Sequence, residues 1–447
     1  MQFENRTIEY IPESDRKGKP SSLFAIWFSA NMQITTIVTG GLAIILGLNL
    51  VWSIVAIVVG NLLGGIFMAL HSAQGPKLGI PQMIQSRAQF GIIGAILPLI
   101  LVVLMYIGFF ASTGVLGAEA LASLFHMPFT LAAIITNLLT YVLVLYGYDV
   151  IHRYERYVAI LFFIVFLFVT IKLFSSPGVS AAFQQTHFAF GPFFLVLSIV
   201  ATWQITYAPY VADYSRYLPS ETSIGSTFWY SYLGSVIGSI WMMIIGAAGA
   251  QIASSAYNAN TTNYIASLAG NHLTWIVYIV VLLGAIAINV LNLYGGFMSI
   301  TTTVSPFTKW TFKSSSRATI SGIIAILGTG ISIWGQGNFL NNYSNFLLLL
   351  LYFLVPWTAI NLVDFYFLRK GKYDLPSIFK RGGTYKDVNW IAIIAYVAAI
   401  ILEFPFMNTT LYTGFLAKAF GDADFAWVVG LIVAGVLYYY PSKAKVI

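Results

Sequence analysis

Apolar residues in this chain come in long, nearly unbroken runs, and polar residues gather in the short segments between them. A membrane-crossing helix needs about 20 mostly apolar residues. Twelve stretches meet that requirement: roughly 23–48, 51–71, 93–124, 129–149, 157–176, 190–211, 226–252, 273–304, 318–336, 342–366, 388–405 and 425–441. Two runs are interrupted from within. In the sixth, the apolar Phe193 to Val200 leads into Trp203-Gln204-Ile205-Thr206-Tyr207-Ala208-Pro209. Pro209 has no N–H and disfavours helical geometry in the residue before it. A helix breaks at membrane depth only where protein or a water-lined cavity takes up the freed backbone groups. An aromatic plate and an amide beside such a break would suit a flat, hydrogen-bonding solute. The first run carries Asn31, Gln33, Thr35, Thr36 and Thr39 near its middle, then Gly40-Gly41, where helix is weakened and a second break is expected. The breaks lie five runs apart, as two five-helix repeats of inverted topology would place them. Gln33-Ile34-Thr35 is echoed by Gln204-Ile205-Thr206. The plainer alternative is a kinked helix with interfacial aromatics, its hydroxyls bonded to the preceding turn or to neighbouring helices.

Composition supports the membrane reading. Of 447 residues 58% are hydrophobic and 8% charged, with a mean hydropathy of +0.81, whereas soluble domains carry roughly 25% charged residues. The first 20 residues are polar and mixed in charge, so no cleavable signal is expected. Cysteine is absent, which removes disulfides, thiolate metal sites and cysteine nucleophiles. The net charge of +7 would suit acidic partners in a soluble protein. Here its distribution matters more, because cytoplasmic loops of membrane proteins are rich in Lys and Arg. With the N-terminus inside and twelve crossings, the inner segments hold Arg6, Arg16, Lys17, Lys19, Lys77, Arg87, Arg153, Arg156, Arg216, Lys309, Lys313, Arg317, Arg369, Lys370, Lys372, Lys380, Arg381, Lys386, Lys443 and Lys445. Only Lys172 and Lys418 fall outside. A missed crossing would scramble this split, so both termini are expected in the cytoplasm.

The expected fold is an all-α integral membrane protein of 12 transmembrane helices, with a 5+5 inverted repeat and broken helices 1 and 6. Its parts are a cytoplasmic tail (1–22), a ten-helix core (23–366, repeats about 23–176 and 190–366), two accessory helices (388–441) and a short tail (442–447). No HExxH, Gly-rich phosphate loop or supported Ser–His–Asp set is present, so the chain does not read as an enzyme, and no cofactor or metal is expected. No repeated pore loop or charged ring points to a channel.

After the second run comes Gly75-Pro76-Lys77-Leu78-Gly79-Ile80-Pro81-Gln82-Met83-Ile84-Gln85-Ser86-Arg87-Ala88-Gln89-Phe90-Gly91, a structured loop with a short helix. This loop, WQITYAPYVADYSRYLP (203–219), and Asn289-Val290-Leu291-Asn292-Leu293-Tyr294 together resemble the hallmarks of the nucleobase–cation symporter family. That family comprises cytosine, purine, allantoin and hydantoin permeases, and the resemblance is to its purine–cytosine branch. It implies a site between helices 1 and 6 and helices 3 and 8. Tyr106 and Phe109 fall where cytosine permeases place a hydrogen-bonding Gln and a stacking Trp, which puts the orientation of the base in doubt. Trp203 is then the stacking plate; Gln204, Thr206, Asn289 and Asn292, with Asn31 and Gln33 of helix 1, supply edge contacts. The Asn pair could equally tie helices together.

A planar base suits such a site, since its faces stack on aromatic rings and its edge pairs with amides. No intramembrane Lys or Arg lies near these positions, which favours a neutral solute. The stretch Leu283 to Ile288 of helix 8 contains no Ser or Thr, where sodium-coupled relatives place hydroxyl ligands, so proton coupling is favoured over sodium. Candidate carriers are Asp213, Glu119 and Glu403, with Asp364 as a further carboxylate; Asp213 could instead pair with Arg216. His71 reads as interfacial, and Asn341 to Asn345 as an outer loop opening the tenth helix. The expected function is proton-coupled import of cytosine and purines by alternating access across a plasma membrane. The short tails point to a bacterial cell, and the partners are a nucleobase, a coupling cation and the lipid bilayer. Alternatives are another flat heterocycle (thiamine or its hydroxymethylpyrimidine part, allantoin, a hydantoin) or a sensor on the same fold.

Overall fold

The computed structural model describes residues 9–146, 148–308 and 314–446, and the side chains of 9–145, 159–308 and 315–444. Arg6, Lys309 and Lys313 lie outside the described residues, as do the side chains of Arg153, Arg156 and Lys445. The described chain is helical, with one isolated bridge between Asn408 and Thr413.

In order, the first half contains α1 (Pro20–Asn31), α2 (Ile34–Ile45), α3 (Leu50–Ser72), α4 (Gly75–Leu78), α5 (Gln82–Phe90), α6 (Ile96–Phe125), α7 (Phe129–Tyr146), α8 (Tyr148–Phe174) and α9 (Pro177–Ala182). The second half contains α10 (Phe190–Ile205), α11 (Val211–Ser215), α12 (Ile224–Ile252), α13 (Ser254–Ala259), α14 (Thr261–Ser267), α15 (Thr274–Val304), α16 (Ser314–Gly335) and α17 (Phe339–Leu362). After these come α18 (Leu375–Ile378), α19 (Trp390–Glu403), α20 (Phe415–Ala419) and α21 (Ala426–Val446). Among the described residues, five helical segments are long and apolar enough to cross a bilayer, or six counting the bent pair α1–α2. One of the five, Ser315–Leu368, holds both α16 and α17. Helices such as α10, 16 residues long and ended by the polar break, fall short of that length.

Both expected breaks are present. Between α1 and α2 the axis bends by 62° at Met32-Gln33, and the Met32 N–H returns to the Ser29 carbonyl at 3.0 Å. The Gly pair is not the hinge: Gly40 and Gly41 lie inside α2 and serve close packing. A Cβ on Gly40 would stand 1.9 Å from the Met243 carbonyl oxygen of α12, and one on Gly41 2.2 Å from the Tyr257 hydroxyl. In the second break, α10 ends at Ile205 and α11 resumes at Val211. Tight turns carry Tyr207 N–H to Gln204 O and Ala208 N–H to Ile205 O, at 3.2 and 2.9 Å. The last carbonyls of α10 are thus satisfied without water, which permits the break inside an apolar protein.

The helices form two groups. One gathers α1, α2, α3, α10 and α12; the other gathers α6, α7, α15 and α16. Helix α17 touches α2, α3 and α10 of the first and α6 of the second, and α19 and α21 pack on α17 and on each other. Asn341 to Asn345 are helical, within α17. His71 is fully buried rather than interfacial; its Nδ1 lies 2.8 Å from the Phe67 carbonyl and its ring stacks on Trp357 at 5.0 Å.

Basic residues knit one end of the molecule. Arg16 donates to the carbonyls of Ile11 and Pro76, both at 2.8 Å. Lys77 donates to Ser220 O, Arg216 to Glu9 O, and Arg87 to Thr302 O. The segment before α1 is thereby strapped across the loop after α3 and the residues after α11.

Candidate functional site

A cavity of about 620 Å³ lies between the two helix groups, within the range typical of small-molecule sites. Its deep part is walled by Gln33 and Thr35 at the first break and by Phe109 and Thr113 of α6. Trp203, Thr206 and Tyr207 at the second break, with Ala287, Ile288 and Asn292 of α15, complete the wall. From there the cavity runs past Tyr106, Tyr210 and Tyr214 to exposed Ser22 and Ala25 of α1, at the end bearing the basic strap. Asp213 and Arg216 are the charged residues that line it, both on the far side of Tyr210 in the chain.

The opposite end is shut. The Thr39 and Tyr343 hydroxyls meet at 3.0 Å, the Tyr257 hydroxyl donates to Ile37 O at 3.0 Å, and Phe346 of α17 packs edge-on against Phe109 with centroids 5.1 Å apart.

Six of the nine residues expected to touch substrate line the cavity: Trp203, Thr206, Tyr106, Phe109, Asn292 and Gln33. The indole of Trp203 stands perpendicular to Phe109 at 6.2 Å and to Tyr207 at 5.9 Å. Tyr106 fits because α15 has glycine opposite; a Cβ on Gly295 would sit 2.3 Å from the phenol ring. The Asn292 Nδ2 donates to Asn289 Oδ1 at 3.0 Å, so its orientation is fixed, and its Oδ1 has no hydrogen-bond partner among the described residues. Gln33 is held by Nε2 to Ala30 O at 2.9 Å and accepts from Thr35 at 2.6 Å.

Asn31, Gln204 and Asn289 are turned into helix contacts and do not line the cavity. Asn289 donates to Phe110 O at 2.9 Å and joins α15 to α6. Asn31 and Gln204 form a ring with two serines of α12. Asn31 Nδ2 donates to Ser235 (3.2 Å), which donates to Gln204 Oε1 (2.6 Å); Gln204 Nε2 donates to Ser239 (3.0 Å), which donates to Asn31 Oδ1 (2.7 Å).

Thr113, Tyr207 and Tyr210 were not among the residues expected. Thr113 lies one helical turn after Phe109, on the same face, and its buried hydroxyl has no partner among the described residues. That four-residue spacing was the signal in the sequence.

The three candidate proton carriers are dispersed. Asp213 lines the cavity, its Oδ1 accepting from Gln82 N–H at 2.8 Å, while Arg216 Nε reaches its backbone carbonyl at 3.3 Å. Glu119 sits beside Thr262 of α14 at the shut end, its Oε2 without a hydrogen-bond partner among the described residues. Glu403 is buried against Gly430 of α21, and neither carboxyl oxygen has a hydrogen-bond partner among the described residues. Asp364 is instead fully engaged, accepting from Tyr373 (2.6 Å), Tyr438 (2.8 Å), Gln89 (3.2 Å) and Arg369 (3.1 Å). No group of three or more metal-ligating side chains occurs among the described residues.

Two helix groups around an aromatic cavity, with both helix breaks of the first group lining it, define a membrane carrier of small solutes. The chain belongs to the family described as permease for cytosine/purines, uracil, thiamine, allantoin, whose model matches residues 10–430. It is 49% identical to a putative purine-cytosine permease of Bacillus subtilis, over 100% of this chain and 97% of that protein. A purine-cytosine permease of Saccharomyces cerevisiae is 28% identical over 83% of this chain and 72% of its own length. The fold matches that of Mhp1, a nucleobase-cation-symport-1 family transporter, in a closed conformation with bromovinylhydantoin bound. The TM-score is 0.79 at 21% identity, covering 99% of this chain and 95% of the other. Family members are permeases, not enzymes.

Proposed function

We propose that this protein imports neutral nucleobases, cytosine and purines, across the plasma membrane, coupled to protons, by rocking one helix group against the other around a midplane site. The observation that carries this is the deep cavity itself. It is lined by the Trp203 indole, by Phe109 at right angles to it and by Asn292 for a base edge, and the charged side chains of its lining are confined to Asp213 and Arg216 toward the open end. The name of the 49% identical relative points the same way.

In this reading the chain crosses the membrane twelve times with both termini in the cytoplasm, and the basic strap marks the inner face. The state described is then open inward, since the cavity reaches the strap and is shut at the other end. Proton coupling is favoured by the lack of hydroxyls from Leu283 to Ile288 of α15. Asp213 is the first carrier to test because it alone of the three lines the cavity.

The test is uptake of radiolabelled cytosine into proteoliposomes under an imposed pH gradient or an imposed sodium gradient, with adenine, hypoxanthine, allantoin and thiamine as competitors. Uptake driven by the pH gradient and blocked by adenine is expected. Sodium-driven uptake overturns the coupling; binding of another heterocycle without cytosine uptake overturns the substrate; binding without flux makes the protein a sensor.

A further inference from the structure

Asn31 is the last residue of α1, at the lip of the first break. Its carboxamide oxygen accepts three hydrogen bonds. Trp203 Nε1 donates at 2.7 Å, the Tyr207 hydroxyl at 2.9 Å and the Ser239 hydroxyl at 2.7 Å. Its Nδ2 is also fixed, to Trp27 O at 2.8 Å and to Ser235 at 3.2 Å. Both halves of the amide are therefore spent on protein, and the side chain is fully buried. Trp203, in the last turn of α10, and Tyr207, within the second break, are aromatic walls of the cavity. One oxygen on the first broken helix thus holds the indole of the last turn of α10 and the phenol of the break that follows it.

An indole has one polar hydrogen, and a bond to it from a side chain that is itself locked fixes the plane of the ring. The ring of amides and hydroxyls through Ser235, Gln204 and Ser239 does that locking. Gln204 is anchored further by Asn61 of α3, its Nε2 lying 2.8 Å from Asn61 Oδ1. The donors and acceptors of the ring amides are all paired, within it or with Trp27, Asn61, Trp203 and Tyr207 around it, the arrangement in which a buried polar network specifies one geometry.

We infer that Asn31 is the positioning residue of the site: it sets the plane of the Trp203 indole and couples the two helix breaks, without touching substrate. This rests on the reading of Trp203 as the stacking plate. The consequence is a division of labour: the amides bonded to α12 aim the aromatic wall, and Asn292 of α15 reads the solute.

The experiment labels the protein with 5-fluorotryptophan and assigns the Trp203 resonance in the ¹⁹F spectrum as the one missing from Trp203→Phe. Asn31→Leu, close in size but with no acceptor, is expected to shift or broaden that resonance while leaving those of distant tryptophans in place. Asn31→Ser serves as a smaller change if Asn31→Leu does not fold. This readout needs no substrate, so it judges Asn31 even if cytosine proves to be the wrong solute. In uptake, Asn31→Leu should raise KM on the order of tenfold with a smaller effect on kcat. In the Trp203→Phe background the same change should add less than about twofold, because its route is already cut. An unmoved Trp203 resonance in a folded Asn31 variant, or full additivity with Trp203→Phe, overturns the inference.

Discussion

Neighbouring residues on an α-helix point about 100° apart, and that angle divides the polar residues of the second break. Trp203 and Thr206, three apart, share the face that lines the cavity; Gln204, between them, faces α3 and α12. On α15 the division is finer. Asn289 and Asn292 share a face, yet Asn289 bonds to α6 while Asn292 lines the cavity. Asn292→Ala should therefore raise KM for cytosine by roughly tenfold with little change in Tm. Asn289→Ala should lower stability by about 1 kcal/mol and reach transport only through Asn292; paired uptake and thermal unfolding measurements separate the two. Sequence alone establishes that an amide at membrane depth must be satisfied, because leaving it bare is costly. It does not say whether protein or solute satisfies it. Hence the place of Trp203, Thr206, Phe109 and Asn292 in the cavity wall was legible, whereas nothing in the sequence signals that the amides of Asn31 and Gln204 bond to serines of α12.

At the scale of elements, both helix breaks were legible because polar residues and Pro209 interrupt otherwise apolar runs. The position of the first was not. A glycine pair signals a hinge or a close helix contact equally well, and only the packing partner decides. Here Gly40 lies against the backbone of α12 at Met243. Gly40→Ala should cost about 3 kcal/mol, the upper end for overpacking, since the clash is with backbone that cannot swing away. A Cβ on Gly225, near the start of the same α12, would meet nothing within 4 Å, so Gly225→Ala should change stability by less than about 1 kcal/mol, in the stabilising direction. Thermal unfolding of the two variants in the same detergent checks the contrast. The length of crossing helices was also less legible than the runs implied, because α10 and α19 stop at polar or 3₁₀ turns short of a full span.

At the scale of the whole molecule, two helix groups enclose the cavity, and a strap before α1 ties down its open end. Glu13 is one buckle of that strap: its carboxylate accepts from the Ser220 N–H at 2.8 Å and lies 3.4 Å from Arg16. The Ser220 amide, opposed by a little desolvation and then helped by Arg16, holds the Glu13 carboxyl below its ordinary range. A carboxyl lowered in the folded state contributes above its unfolded value and loses that contribution as pH falls through the lowered one. The strap should thus be closed at neutral pH and loosen only below the usual carboxylate range. Glu13→Gln should make proteolytic nicking between residues 9 and 19 faster at pH 7, and the difference from wild type should vanish in acid. The central claim is that the cavity between the broken helices binds a nucleobase against Trp203. It is tested most directly by equilibrium binding of radiolabelled cytosine to the purified protein and to its Trp203→Ala variant. The account expects saturable binding that adenine displaces and that weakens at least about tenfold without the indole. No saturable binding to the folded wild type, or equal binding to both proteins, would contradict it.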